Sequence, residues 1–252
     1  MDQNCVPERV SVVGDGRLGN ALAEALRCAG LKVSGPSGRG ETPSPGDAVV
    51  LCVPDSEIPA AAQAASRLAP YVGHTSGATP LAALDAAAAT AFGLHPLQTF
   101  AGGEGAERFH GAGCAVAGAT PGALGMATSL AHALGMRPFT ISDDVRPAYH
   151  AAASVASNFL VALMSAAEQA AGAAGIGPDE ARTLLAPLVR STVENWATMG
   201  PGRALTGPLA RGDEETVAAQ RAALEDGAPQ LLALFDSLAD HTRALAGRKA
   251  LA

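Results

Sequence analysis

A short apolar run, Arg9–Val13 (RVSVV), leads directly into Gly14-Asp15-Gly16-Arg17-Leu18-Gly19, and an amphipathic stretch follows through Cys28. Glycine at the first, third and sixth places of such a turn does three separate jobs. Gly14 permits the tight turn, Gly16 lets a pyrophosphate approach the backbone, and Gly19 lets the helix pack closely on the strand. The helix N-terminus, with its unsatisfied N–H groups, then faces the phosphate charge. After an opening strand and before a helix, this spacing predicts a dinucleotide cradle at 14–19.

The chain continues the same way. Strand-like runs fall at 31–33, 48–53, 71–75, 91–95, 114–118 and 137–141, with helical runs between them at 80–89 and 121–134 and in the Ala-rich segment ending at Leu68. Residues 48–53 (AVVLCV) are apolar throughout, as expected of a strand covered on both faces of a parallel sheet. The alternation predicts an α/β domain, Rossmann-like and doubly wound with a mostly parallel sheet, over residues 1–143. Beyond that point the strand signals stop. Helices are expected at 145–171, from Pro178-Asp179-Glu180 to Trp196, from Asp213, and at 229–246, with a loop at 200–212. Residues 144–252 therefore read as an all-helical domain.

Composition excludes several classes. Hydrophobic residues make up 48% and charged ones 16% of the chain, too apolar for a disordered protein. A net charge of −7 argues against nucleic acid or an anionic membrane surface as partner. The stretch 151–167 is interrupted by Ser154, Ser157, Asn158 and Ser165, short of the roughly 20 apolar residues of a membrane span, and reads as a buried helix. The polar start MDQNCVPERV carries no secretory leader. Cys5, Cys28, Cys52 and Cys114 lack the spacing of a disulfide framework or a metal site, so they read as buried reduced thiols of a cytoplasmic protein, with no metal.

Cofactor choice is set at the end of the second strand. An NAD site needs an acid there for the ribose 2′-hydroxyl. Ser34-Gly35-Pro36-Ser37-Gly38-Arg39 contains none, and Ser34, Ser37 and Arg39 suit a 2′-phosphate, although Glu41 lies close by. NADP is expected over NAD. Val53 and Pro54, closing the third strand, are expected beside the bound dinucleotide.

Two more strand ends carry polar groups, His74-Thr75-Ser76-Gly77-Ala78 and Gly93-Leu94-His95-Pro96. A neutral imidazole exchanges a proton as a carbonyl or imine is reduced, which nominates His95. Ser76 is the candidate to hold the reacting oxygen or a carboxylate, while His74 reads as a turn residue. His150, Ser154 and Asn158 are spaced i, i+4, i+8 and share one helix face, as a hydrogen-bond ladder or as a cleft wall. Asp213 reads as an N-cap. Arg211 reads as an ion-pair partner or a carboxylate binder.

GDGRLG, HTSGA, LHPLQTF, YHAAASVASN and TGPLARGD together resemble an uncharacterised bacterial family that joins a Rossmann-like domain to a helical domain of unknown function. That family is related to pyrroline-5-carboxylate reductase, ketopantoate reductase, prephenate dehydrogenase and the β-hydroxyacid dehydrogenases. The resemblance implies a reductase-type reaction and a homodimer formed through the helical domain. Ser76 and His95-Pro96 match the serine and proton-accepting histidine of prephenate dehydrogenases. Asn158 matches the asparagine of β-hydroxyacid dehydrogenases, but the lysine four residues earlier is Ser154 here. Lysine occurs only at positions 32 and 249, so lysine acid catalysis is not expected, and His95 with His150 is the replacement.

The sequence thus predicts an NADP-dependent oxidoreductase acting on a small carbonyl, imine or hydroxy acid bound between the domains. Its sites are His95, Ser76, Asn158 and His150 for chemistry, and Gly14, Asp15, Gly16, Arg17, Leu18, Gly19, Ser34, Ser37, Arg39, Val53 and Pro54 for the cofactor. The alternative is a dinucleotide-binding sensor without turnover.

Overall fold

The computed structural model describes residues 7–103 and 105–249. The polar start and Cys5 lie outside the described residues. The chain divides into two compact units, Met1–Ser157 and Asn158–Ala252, so the division comes later than the expected 143/144.

The first unit carries β1 (Arg9–Val13), α1 (Arg17–Cys28), β2 (Lys32–Ser37), β3 (Ala48–Leu51), α2 (Ile58–Ala64), β4 (Tyr71–His74), β5 (Thr90–Leu97), β6 (Gly113–Gly118), α3 (Pro121–Ala133), β7 (Arg137–Thr140) and α4 (Arg146–Ala156). One seven-stranded sheet runs in the order β2-β1-β3-β4-β5-β6-β7. All neighbours are parallel except β5 and β6. β3 is buried along its whole length, which its unbroken apolar sequence requires. One core gathers α1 and α3 against β1, β5 and β6, and a second gathers α2 against β3 and β4, so helices cover both faces. The strand order reverses beside β1, and ligands of such sheets sit at the carboxyl edge of that switch point.

The second unit is helical: α5 (Asn158–Ala173), α6 (Pro178–Met199), α7 (Pro201–Ala204), α8 (Pro208–Arg211), α9 (Glu214–Gly227) and α10 (Leu232–Lys249). α5 packs on α6 and α9, and α10 packs on α7, α8 and α9. Asp213 caps α9 as expected, its carboxylate accepting from Thr216 N at 3.1 Å.

Several expectations are corrected. β2 runs on to Ser37 rather than stopping at 33, because Gly35 adopts φ 87° and absorbs a register shift against β1. The helix expected at 80–89 is a tighter 3₁₀ segment, Leu81–Ala87. The loop at 200–212 folds into α7 and α8, each opened by a positive-φ glycine and a proline in its first turn. The long helix at 145–171 is broken at Ser157 (φ −121°, ψ −76°). Asp143–Ala173 contains an 18-residue window of mean hydropathy 1.3 and is long and apolar enough to cross a membrane by composition, yet it folds as separate helices. No residue of α5 is buried, contrary to the expected core helix. Cys114 is buried and Cys52 half-buried, but Cys28 is exposed, because it lies at the last position of α1.

Candidate active site

The glycine turn has the shape its sequence demands. Gly14 adopts φ 102°, and a Cβ there would lie 2.4 Å from the Cys52 carbonyl oxygen. A Cβ on Gly19 would fall 1.8 Å from the Gly14 carbonyl oxygen, so helix and strand meet without room for a methyl group. Gly16 is the opposite case, with nothing within 4 Å of where its Cβ would be. It opens α1 without a side-chain cap, which leaves the first N–H groups of the helix free of side-chain acceptors. Asn20 Nδ2 ties the turn down by donating to the carbonyls of Asp15 at 2.6 Å and Gly16 at 3.0 Å. A cavity of about 560 Å³ opens here, lined by Asp15, Gly16, Arg17, Asn20 and the Gly102-Gly103 backbone. Leu18 packs against the core as the helix departs.

The flanking segments converge on this turn. Gly14 N donates to the Ser37 carbonyl at 2.8 Å, and Val53 Cγ1 stands 3.2 Å from the Gly14 Cβ position. Pro54 leads from there into the short 3₁₀ turn Asp55–Glu57. Ser34 and Ser37 sit inside β2 rather than in a loop, and Ser37 is largely buried. Arg39 lies beyond the strand with its side chain 85% exposed, paired to Glu57. Two carboxylates flank Gly38, since Glu41 accepts from its N–H at 2.8 Å and Asp15 stands alongside.

A second cluster forms past the carboxyl end of β4, built from β4, β5 and α4. His74 is wholly buried and its Nδ1 accepts from Ser76 N at 3.2 Å. Ser76 is committed to its own turn, its hydroxyl donating to Thr79 Oγ1 at 2.9 Å and accepting from Ala78 N and Thr79 N. β5 outruns β4, whose last pair is His74 with Gly93, so His95 stands two residues beyond. His95 Nδ1 lies 2.6 Å from Tyr149 Oη of α4. A Cβ on Gly77 would meet His95 Nε2 at 2.9 Å and His150 Cδ2 at 3.0 Å, leaving a notch bounded by two imidazoles.

Beneath the cluster lies Arg146, its side chain 2% exposed. Nε donates to Asp143 Oδ1 at 2.5 Å, and Asp143 Oδ2 in turn accepts from Leu81 N at 2.9 Å. Nη2 is buried against Gly93 without a hydrogen-bond partner among the described residues. Burial, followed by the charges of His150 and Arg146, pulls His95 down to about 4. Burial and Arg146 do the same to His74. Burial pushes the Tyr149 phenol up to about 12. Both histidines and the tyrosine are therefore neutral near pH 7.

Of the residues nominated for chemistry, the fold brings His95, His150 and the Ser76 turn together. Asn158 opens α5 in the other unit, and the break at Ser157 ends the continuous face it was expected to share with His150. Tyr149, Arg146 and Asp143 were missed. Arg146, Tyr149 and His150 fall at i, i+3 and i+4 within the helix expected from 145 and so share one face, but that spacing does not show what the face meets.

Residues 112–242 match the domain of unknown function DUF2520. Among curated protein sequences none matches the chain. Among solved structures, a Bacteroides fragilis protein described as an NADP oxidoreductase superposes with TM-score 0.78 at 19% identity, covering 94% of this chain and 98% of its own. A Thermotoga maritima protein gives 0.76 at 24%, covering 96% and 99%. A Plasmodium falciparum pyrroline carboxylate reductase with NADP bound gives 0.59 at 11%, covering 94% and 98%. At these identities the likeness shows the shared fold.

Proposed function

This chain belongs to the DUF2520 family, and from that premise we propose that it is an NADP-dependent oxidoreductase of a small carbonyl, imine or hydroxy-acid substrate. The observation that carries the proposal is the contrast between Gly16, open on all sides above a bare helix N-terminus, and Gly14 and Gly19, both packed against backbone. The NADP oxidoreductase of Bacteroides fragilis and the NADP-bound reductase of Plasmodium falciparum, which share the fold, support the cofactor.

The backbone of residues 14–19 holds the pyrophosphate, with Val53 and Pro54 alongside. Arg39 is the group for a 2′-phosphate. Its exposed pairing with Glu57 is worth at most about 1 kcal/mol, so a dianionic phosphate displaces it. Ser34 and Ser37 shape the strand that delivers it. The bound nicotinamide supplies or accepts hydride.

His95 holds or releases a proton at Nε2, beside the notch at Gly77, and His150 forms the other wall. Ser76 fixes the turn that carries Gly77, its hydroxyl bonded within that turn and its own N–H given to His74 Nδ1. A role for Asn158 rests on the family resemblance alone. The free thiols Cys28, Cys52 and Cys114 fit a cytoplasmic protein. Phe159 and Val161 on α5 and Leu188 and Trp196 on α6 are each more than half exposed, which fits a homodimer formed through the helical unit.

The test is reductase activity with NADPH on a panel of 2-keto acids and cyclic imines. His95→Ala should lower kcat/KM by about 100-fold or more. A panel substrate turned over equally well by both proteins would remove the role given to His95. Fluorescence titration should show NADPH binding more tightly than NADH.

A further inference from the structure

Tyr149 Oη and His95 Nδ1 are 2.6 Å apart, a hydrogen bond whose direction is set by which ring nitrogen carries the proton. The chemistry of the pair makes the phenol the donor. A phenol O–H is a good donor and its oxygen a poor acceptor, whereas an unprotonated imidazole nitrogen is a strong acceptor. The two rings meet edge to face with centroids 5.5 Å apart, and Phe139 packs against Tyr149 with centroids 5.8 Å apart.

We propose that Tyr149 is a positioning residue that donates its hydroxyl proton to Nδ1 of His95 and thereby fixes the ring's own proton on Nε2, the nitrogen facing the notch at Gly77. This rests on the reductase reading given above and specifies how its proton is delivered. Left to itself, a neutral imidazole distributes its proton between both nitrogens, and the other partner of a ring nitrogen decides which one carries it. With Tyr149 in place the ring presents a donor to the substrate and no lone pair.

As hydride adds to the carbonyl or imine carbon, the oxygen or nitrogen takes the Nε2 proton. The Tyr149 proton moves to Nδ1 as Nε2 gives up its own, and the resting state returns when solvent reprotonates Nε2 while Nδ1 passes its proton back to the half-buried phenolate. The ring never holds two protons. That matters in this setting, because burial first, then His150 and Arg146 on α4 and His74 on β4, oppose an imidazolium, while Asp55, on the segment after β3, favours one.

The experiment is ¹⁵N NMR of the histidine rings, with the His95 signals assigned by their loss in His95→Gln. Wild-type protein at pH 7 should show the Nε2–H tautomer with Nδ1 accepting a hydrogen bond. Tyr149→Phe should show a mixture of both tautomers, with kcat lowered at least about tenfold and KM within about twofold. An Nδ1–H tautomer in the wild type overturns the proposal, as does an unchanged tautomer in Tyr149→Phe. The wild-type spectrum needs neither variant nor substrate. A protein that shows the expected tautomers but neither binds NADPH nor reduces any panel compound would instead fail the reductase reading, so the two failures are distinguishable.

Discussion

Gly77 and His95 are fitted to each other: the Nε2 edge of the imidazole lies so close to the glycine that even a methyl group at position 77 would stand 2.9 Å from it. The opposite wall is equally near, at His150 Cδ2. Gly77→Ala should therefore push the His95 ring off Tyr149 and fill the notch. The expected result is loss of at least tenfold in kcat/KM for about 1–2 kcal/mol of stability, the usual cost of one extra methyl in a packed site. Paired kinetics and urea melts measure both. Full activity in the variant would mean that no substrate atom enters between the imidazoles.

Two glycines of the first turn separate folding from binding. Gly16 has φ −69° and open space around it, so Gly16→Ala should leave stability unchanged or raise it by up to about 1 kcal/mol. The same methyl occupies the place given to the pyrophosphate and should weaken NADPH binding at least about tenfold. Gly19→Ala puts its methyl on the Gly14 carbonyl and should cost about 2–4 kcal/mol. Thermal melts with and without NADPH distinguish the two. Equal destabilisation by both substitutions would show that Gly16 is an ordinary packing position.

The α/β unit was legible because its signals are local. An apolar run of four residues such as Ala48–Leu51 cannot avoid burial, and a glycine that must sit against a carbonyl leaves its mark in the sequence. His95 was legible for the same reason, as a polar residue in an apolar strand. Tyr149 was not, since what matters is its distance from a residue on another element, and no spacing along α4 encodes the register of that helix against β5. The break at Ser157 was hidden too, because serine and alanine are tolerated in a helix and only packing decides between bending and continuing. The commitment of the Ser76 hydroxyl to its own turn was not legible from its strand-end position. A serine followed by Gly-Ala-Thr closes its own turn before any ligand arrives.

Arg39 offers a test of cofactor choice that leaves the fold alone. Its side chain is exposed and its partner Glu57 is a surface group. Arg39→Ala should leave the melting temperature within about a degree. It should also weaken NADPH about 10–100-fold while changing NADH little, since only the 2′-phosphate is read by the guanidinium. Isothermal titration with both nucleotides decides the matter. Equal losses for the two would place Arg39 at the pyrophosphate or nowhere near the cofactor.

His74 gives the molecule a sensitivity to acid that does not depend on function. Burial, with Arg146 next, lowers its folded-state pKa from 6.5 to about 4. Between those values the unfolded chain takes up a proton that the folded chain refuses, so stability falls as pH drops from about 6.5 towards about 4 and levels off below. The loss from this one group by pH 4.5 is on the order of 2–3 kcal/mol. His74→Asn preserves an acceptor for Ser76 N and removes the titration. Urea melts at pH 7.5 and 4.5 should show the acid-induced loss shrinking by that amount in the variant. An undiminished loss would place the acid sensitivity elsewhere, with His95, which is shifted in the same direction, the next group to substitute.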